Sequence, residues 1–215
     1  MRLLTLPGVF RPRPDSWMLA RALAAERLPP AARVLDVCTG SGLLAVTAAL
    51  HGAQATAVDV SRRAVWCAAL NARLNGVRVR GVRGDLLAPV RGERFDAIVS
   101  NPPYLPADDD ELPTHGQRRA WDAGRDGRAI LDRLCAEAPA HLAPGGILLL
   151  VHSSLSGTEA TVSALNERGL GTDIVARHRG ALGPLLRARA PLLEARGILR
   201  AGEREEDVVV VRAAA

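Results

Sequence analysis

One tetrapeptide has residue types suited to holding a planar amino group: Asn101-Pro102-Pro103-Tyr104, directly after the apolar run 95–100. Proline fixes φ and keeps the preceding residue out of the helical region. The pattern therefore predicts a rigid corner at the carboxyl end of a strand, where open α/β sheets bind ligands. The Asn101 side-chain oxygen and the Pro102 carbonyl can accept two N–H groups, and Tyr104 can pack against the flat face. A proline-rich turn without a ligand is the alternative for the tetrapeptide alone.

A second candidate site is the turn between the predicted strand 33–38 and the predicted helix 43–51. Glycine permits positive φ and lets a ligand lie against bare backbone. A dinucleotide fingerprint fits poorly, because Cys38 takes the place of its first glycine and its third glycine is missing. A Walker phosphate loop is excluded because the sequence contains no lysine. Asp36 can either meet a cationic amino group, directly or through water, or cap the Gly40–Gly42 turn.

Two further carboxylates follow predicted strands. Asp59 lies at the end of the second strand, where open α/β folds place a carboxylate that accepts both ribose hydroxyls. Asp85 follows the third strand and can accept from an exocyclic amino group such as that of adenine. An acid for a ribose, an acid for an amine and no phosphate cradle together predict a site for an adenosine that carries something other than phosphate.

Strands alternate with helices along the chain, which predicts a doubly wound, Rossmann-like α/β sheet of seven strands. The sheet is expected to be mostly parallel with an antiparallel last strand, because no full crossover helix joins the last two strands. The predicted strands are residues 33–38, 55–60, 77–82, 95–100, 147–151, 172–179 and 207–212, and the predicted helices are residues 17–27, 43–51, 62–74, 129–141 and 157–167.

The sequence predicts a single domain over residues 1–215, with no internal repeat or linker. Residues 1–30 form an N-terminal cap segment, in which Asp15 or Ser16 caps the first helix. Residues 181–204 form an insertion before the last strand, and the spacing of leucines within 183–200 predicts an amphipathic helix there.

All 28 basic residues are arginine, and the net charge of +5 permits an acidic partner such as RNA. The densest basic stretch contains Arg78, Arg80, Arg83, Arg91 and Arg94. Acidic residues are interspersed almost everywhere, so a solvated arginine-rich surface is favoured over a nucleic-acid or ribosome contact.

No apolar run approaches the length of a membrane span, and the N-terminal apolar block is too short for a secretory signal. The three cysteines, Cys38, Cys67 and Cys135, are far apart and have no metal-ligand spacing. We therefore expect reduced thiols, no metal site, no membrane contact and a cytoplasmic location.

Taken together, these motifs resemble those of the class I S-adenosylmethionine-dependent methyltransferases. Asp36-x-x-x-Gly40-x-Gly42 is similar to their first motif, Asp59 to the second and Asp85 to the third. The tetrapeptide at 101–104 resembles the fourth motif of members that methylate a planar nitrogen. The HemK family of release-factor glutamine methyltransferases is most similar, because residues 13–16, 121–128 and 130–133 also resemble its N-terminal segment, its Gly-Gly-x-Asp-Gly loop and the helix that follows.

The resemblance implies S-adenosylmethionine as cofactor and the glutamine of a release factor's Gly-Gly-Gln loop as methyl acceptor. The implied cofactor-binding residues are Asp15, Ser16, Asp36, Cys38, Thr39, Gly40, Gly42, Asp59, Val60, Gly84, Asp85, Leu86 and Asn101. Catalysis is assigned to Asn101, Pro102 and Tyr104, with Pro103 added for substrate binding. The chain lacks the long N-terminal helical domain of bacterial HemK and so resembles the short form that pairs with a small zinc-containing activator. The edge strand 77–82 is the candidate activator surface.

Three other functions stay open. The same tetrapeptide logic serves a methyltransferase for the amino group of adenine in RNA or DNA, although a flipped base needs stacking partners and aromatic residues are only 3% of the chain. A methyltransferase that acts on a small molecule or on another protein, and a catalytically silent scaffold, are the remaining alternatives. His152, at the end of a predicted central strand, is a further candidate for the pocket.

Overall fold

The computed structural model describes residues 1–214. They contain a seven-stranded sheet with the strand order β3-β2-β1-β4-β5-β7-β6. β7 is antiparallel to both of its neighbours, and the other strands run parallel to one another. The predicted fold class is therefore confirmed. The strands are β1 Arg33–Val37, β2 Gln54–Asp59, β3 Val79–Arg83, β4 Phe95–Ser100, β5 Leu142–Ser153, β6 Gly171–Ala181 and β7 Glu205–Ala214.

The helices cover both faces of the sheet, and the strands alternate their side chains between two apolar cores. Val34 packs in one core, with α1 and α2, whereas Leu35 packs in the other, with α4 and α5. This alternation buries the central strands on both sides. The helices are α1 Pro14–Ala25, α2 Leu43–Leu50, α3 Arg62–Leu74, α4 Ala129–Glu137, α5 Thr158–Asn166 and α6 Pro184–Ala195.

Several predicted boundaries differ from the observed ones, and two of the differences have identifiable reasons. The first helix begins at Pro14, because proline suits the first helical position, so Asp15 and Ser16 lie inside its first turn and are not its N-cap. β5 begins at Leu142 rather than at residue 147, because Gly145 (φ +73°) lets the chain continue through a stretch that otherwise indicates a turn. Ser61 caps α3 as predicted, accepting a hydrogen bond from the Ala64 amide.

The insertion before the last strand contains α6, as predicted. It has a small apolar cluster of its own, formed by Leu182, Leu186, Ala190, Leu193 and Leu199. Arg189 and Arg196 tie this helix to the segment that follows the Asn-Pro-Pro-Tyr corner, because they donate to the carbonyls of Pro106 and Ala107 at 2.7 and 2.6 Å. Within residues 1–214, no helix has both the length and the apolar character that a membrane crossing requires.

The turn after β1 depends on close packing at Gly42, which has φ +83° and precedes the first residue of α2. A Cβ at this position would lie 2.6 Å from the Cα and Cβ of Ala68 on α3. Gly42 therefore lets two helices approach each other at the edge of the candidate site.

We expect Gly42→Ala to destabilise the protein more than Gly52→Ala. Both positions have positive φ, but a Cβ at residue 52 meets nothing within 4 Å. Both variants therefore carry the strain of the left-handed backbone. Only Gly42→Ala also overpacks against Ala68, which lowers its free energy of unfolding by about 1–3 kcal/mol more. Urea unfolding of the two variants measures the difference, and equal free energies of unfolding would contradict this account of the turn.

Candidate functional site

A large cavity of about 430 Å³ opens at the carboxyl ends of the parallel strands, where this type of sheet binds ligands. Beyond the strand ends, the cavity is lined by residues 8–10, by the loop that contains residues 112–120, and by Ile130 and Arg133 of α4. The predicted site residues that line it are Cys38, Gly40, Asp59, Val60, Gly84, Asp85, Leu86, Asn101 and Pro103.

Asp59 is held at the end of β2 by two backbone donors. One carboxylate oxygen accepts from the Gly40 amide at 3.0 Å and the other from the Ser61 amide at 2.8 Å. Burial raises the pKa of Asp59, while these hydrogen bonds and the charge of Arg119 oppose that rise. Each oxygen keeps a further lone pair. The carboxylate is therefore fixed in place and can accept two more hydrogen bonds from a pair of neighbouring hydroxyls.

Asp36 supports the turn from beneath rather than lining the large cavity. It is fully buried, and one oxygen accepts from the Thr39 hydroxyl at 2.5 Å and from the Ala45 amide at 3.0 Å. Burial raises the pKa of Asp36 to about 7, although both hydrogen bonds lower it. Thr39 and Gly42 also lie outside the cavity lining. Asp36 therefore caps the turn, which is one of the two roles predicted for it, and none of these three residues lines the large cavity.

Asp85 lies at the far end of the large cavity and is paired with a cation. Its carboxylate is 2.7 Å from the Arg133 guanidinium, and both side chains are about half exposed. Next to it, Leu86 has φ +45°, and Cys38 on the opposite loop has φ +60°. Left-handed backbone at non-glycine residues is uncommon and concentrates at ligand-binding loops. Burial raises the pKa of the Cys38 thiol.

Asn101 is held in one orientation by the first turn of α1. Its side-chain nitrogen donates to Asp15 at 3.1 Å and to the Ser16 hydroxyl at 2.9 Å. Ser16 can accept because its own hydroxyl proton points to Asp15. Since a carboxylate only accepts, the amide nitrogen of Asn101 must face Asp15, and the amide oxygen has no partner in the described part of the chain. Tyr104 also donates to Asp15, at 2.8 Å.

A small cavity of about 140 Å³ lies on the other side of Asn101. Asn101, Phe10 and Ala120 line both cavities. The small cavity is otherwise lined by Arg13, Asp15, Pro102, Tyr104, Leu105, Trp121, residues 183–186 and Glu206. Burial, followed by the negative charge of Asp15, raises the pKa of Tyr104, so the phenol is neutral. The predicted NH2-binding corner therefore stands between a large cavity and a small one.

The profile of the methyltransferase small domain family matches residues 1–116. The "Putative protein N5-glutamine methyltransferase MJ0928" of Methanocaldococcus jannaschii is 37% identical over 82% of this chain and 88% of its own length. The chain belongs to the HemK family of S-adenosylmethionine-dependent methyltransferases. Human methyltransferase HEMK2 is 34% identical, with 80% and 85% of the two chains covered.

A bacterial member of the family extends beyond this chain. The release factor glutamine methyltransferase of Deinococcus radiodurans is 47% identical over 70% of this chain, which spans 56% of that enzyme. Among solved structures, the Encephalitozoon cuniculi Mtq2–Trm112 complex, responsible for methylation of the eRF1 termination factor, contains a chain with TM-score 0.64 and 23% identity. The match covers 96% of this chain and 98% of that one. At that identity it shows a shared methyltransferase fold.

Some of the predicted site residues lie outside the large cavity of this methyltransferase. Asp15 and Ser16 orient Asn101 instead of lining the large cavity, because the first turn of α1 reaches across to the Asn-Pro-Pro-Tyr corner. His152 lines neither cavity; it is buried on β5, and burial lowers its pKa to about 4.

The parts of the small cavity that were not predicted include Phe10, Trp121, residues 183–186 and Glu206. Trp121 is the first residue of the stretch 121–128, which resembles a loop of the HemK family. Glu206 has no local signal, because α6 and the start of β7 bring it to the cavity from the far end of the chain.

We expect Asp15→Asn to slow methyl transfer by about 10–100-fold. An amide at residue 15 no longer forces the Asn101 nitrogen to face it, and a misoriented methyl acceptor reacts more slowly by about this factor. Cofactor affinity should change less than twofold, since Asp15 lies outside the large cavity. Single-turnover rates and calorimetric titration of S-adenosylmethionine separate the two effects. Asp173→Asn, an exposed carboxylate on β6, is the matched control. A normal rate in Asp15→Asn would contradict the orienting role.

Proposed function

We propose that this chain methylates the side-chain amide nitrogen of a protein glutamine, namely the one in the Gly-Gly-Gln loop of a peptide release factor. The observation that carries the proposal is the position of Asn101. Asn101 lines both cavities, its nitrogen donates to Asp15 and Ser16, and its oxygen has no partner among residues 1–214. A planar NH2 group in the small cavity can donate to that oxygen and still face the large cavity.

The large cavity fits S-adenosylmethionine. We assign the ribose hydroxyls to Asp59, whose two oxygens each keep a free lone pair. Asp85 faces the adenine end, and Cys38, Gly40, Val60, Gly84 and Leu86 provide the surrounding backbone. The second oxygen of Asp36 is buried without a partner among the described residues, so it can accept from the amino group of the cofactor through a water molecule. The bound cofactor supplies an electrophilic methyl group carried on a sulfonium.

The residues of the chain act by positioning rather than by acid–base catalysis. An amide nitrogen is a weak nucleophile because its lone pair is delocalised into the carbonyl. Hydrogen bonds from its two N–H groups to the Asn101 oxygen and the Pro102 carbonyl raise electron density on the nitrogen and aim it at the large cavity. Holding an acceptor in such a pose can contribute several kcal/mol, up to about 7–11 in the best cases. Tyr104 is fixed by Asp15 and forms the wall beside the flat face of the amide.

The lining of the small cavity supports a peptide acceptor. It contains two carboxylates, Asp15 and Glu206, and one arginine, Arg13. Excess negative charge repels a nucleic-acid backbone, which favours cationic surroundings. The cavity is also bounded by α6, which leaves space for a slender side chain. An adenine acceptor in RNA or DNA is thus less well supported than glutamine.

The family resemblance also supports a small activator partner. We propose that it pairs with the edge of the sheet at β3, where the strand has only β2 as a neighbour. Exposed strand edges accept a further strand through their free backbone groups.

The three cysteines are free thiols, which supports a reducing compartment such as the cytoplasm.

Substituting Asn101 with Ala should abolish methyl transfer, with a rate at least about 100-fold lower, because the acceptor loses its orienting oxygen. S-adenosylmethionine should still bind with nearly unchanged affinity, since Asp59 and the glycine turn are intact. Mass spectrometry of a release factor incubated with each enzyme measures the transfer. Equal activity in the variant and the wild type would contradict the role proposed for Asn101.

Asp59→Asn should weaken cofactor binding by about 10–100-fold, because one accepting oxygen is replaced by an NH2 group and the other loses its charge. Asp85→Asn should cost less than tenfold, since Asp85 is half exposed and already paired with Arg133. Calorimetric titration compares the two variants directly. A larger loss in Asp85→Asn would reverse the proposed placement of the ribose.

A further inference from the structure

The backbone of the Asn-Pro-Pro-Tyr corner is held from a part of the chain that lies outside both cavities. The Ser156 hydroxyl donates to the Tyr104 carbonyl at 2.6 Å. Within residues 1–214, no other hydrogen bond reaches the backbone of residues 102–104. Two of these three residues are prolines, which have no N–H to donate. The hydrogen bond from Ser156 is therefore the one that fixes the backbone of this part of the corner.

Ser156 is itself held in place. It lies in the turn between β5 and α5, and it is 1% exposed. The Arg128 guanidinium donates to the Ser156 carbonyl and to the Gly157 carbonyl, the second at 2.9 Å. The Arg128 side chain is only 12% exposed, so water competes little for these hydrogen bonds. One arginine thus fixes the turn that presents the Ser156 hydroxyl.

Gly127 leaves room for the contact between Ser156 and Tyr104. A Cβ at residue 127 would overlap the Tyr104 carbonyl oxygen and would lie 3.0 Å from the Ser156 hydroxyl oxygen. Gly127 and Arg128 both belong to the stretch 121–128, which resembles a loop of the HemK family. The structure connects this stretch to the corner, because the glycine admits the hydrogen bond and the arginine holds its donor.

We propose that Ser156 is a positioning residue for methyl transfer, because its hydroxyl fixes the Tyr104 carbonyl and thereby the tyrosine ring beside the acceptor. This inference rests on the proposed function. Ser156 lines neither cavity, so it acts through Tyr104. Asp15 accepts from the hydroxyl at the other end of Tyr104. The residue is thus hydrogen-bonded at both ends, and loss of the Ser156 bond lets the ring move against the flat face of the acceptor amide.

Ser156→Ala removes the hydroxyl. For a Gly-Gly-Gln peptide we expect kcat to fall about 5- to 30-fold and KM to change less than about threefold, because the acceptor still binds but is misaligned. The affinity for S-adenosylmethionine should stay within about twofold of the wild type, since Ser156 lies outside the large cavity. A wild-type kcat in Ser156→Ala would overturn the inference.

Thr47→Val is the matched control for Ser156→Ala. It removes another buried hydroxyl that donates to a backbone carbonyl, in this case that of Leu43 at 2.8 Å within α2. Its kcat should equal that of the wild type. Thermal unfolding of both variants sets a temperature at which each is folded, and the kinetics are measured there.

Tyr104 is the only tyrosine of the chain, so its ring can be observed directly. With isotope-labelled tyrosine, nuclear magnetic resonance gives the ring signals of this one residue. They should shift or broaden in Ser156→Ala and stay in place in Thr47→Val. Unmoved signals in Ser156→Ala would overturn the inference even with a lower kcat, because the loss would then not act through Tyr104.

Ser156→Cys is the second variant, for use if Ser156→Ala does not fold. A thiol has a similar shape but is a weak donor, so kcat should fall about 3- to 10-fold. A wild-type kcat in Ser156→Cys would count against the inference in the same way. If the wild type transfers no methyl group to the peptide, the proposed function fails and this inference with it. Normal transfer by the wild type, with an unchanged kcat in Ser156→Ala, rejects the inference alone.

Discussion

The site depends on one hydrogen-bonded contact between distant parts of the chain, in which Asp15 and Ser16 hold the side chain of Asn101. A carboxylate cannot donate, so Asp15 determines which end of the Asn101 amide faces α1. The oxygen is consequently left for the acceptor. The same carboxylate accepts a hydrogen bond from the Tyr104 hydroxyl, so one acidic side chain positions two of the residues that we propose contact the acceptor.

The fold builds the rest of the site by placing the ends of several strands at one edge of the sheet. β1 presents the glycine turn, β2 presents Asp59 and β4 presents Asn101. Each of these groups lies on a short loop after a buried strand, so the loops are anchored by the core beneath them. Asp36 shows how the anchoring works: it lies beneath the turn, fully buried, and binds both Thr39 and the start of α2. Rigid support of this kind is what catalysis by positioning requires.

Local sequence patterns predicted the parts of the molecule that depend on local physics. The bounds of β4 are the predicted ones, because an apolar run that ends at two prolines can form only one short strand. The cap of α3 and the helix of the insertion were predicted for similar reasons. The start of β5 was missed because one glycine with positive φ carries the strand through an apparent turn.

Contacts between distant segments could not be predicted in this way. Asp15 was assigned to the cofactor, yet it pairs with a residue 86 positions away, and neither sequence neighbourhood indicates the pairing. Glu206 reaches the small cavity only because α6 folds back over the corner. For Asp36 the sequence left two roles open, and its hydrogen bonds with Thr39 and Ala45 show the turn-capping one. Motifs in the sequence therefore indicated the chemistry of the site, while the tertiary structure shows which of its residues contact one another.

The most direct test of glutamine methylation is to incubate the purified protein with methyl-labelled S-adenosylmethionine, a recombinant release factor and bulk RNA, with the small zinc-containing partner present. Mass spectrometry then locates the label. The account predicts one methyl group on the side-chain nitrogen of the Gly-Gly-Gln glutamine and none in RNA. Label on adenine, or no transfer to the release factor while the cofactor is bound, would contradict it.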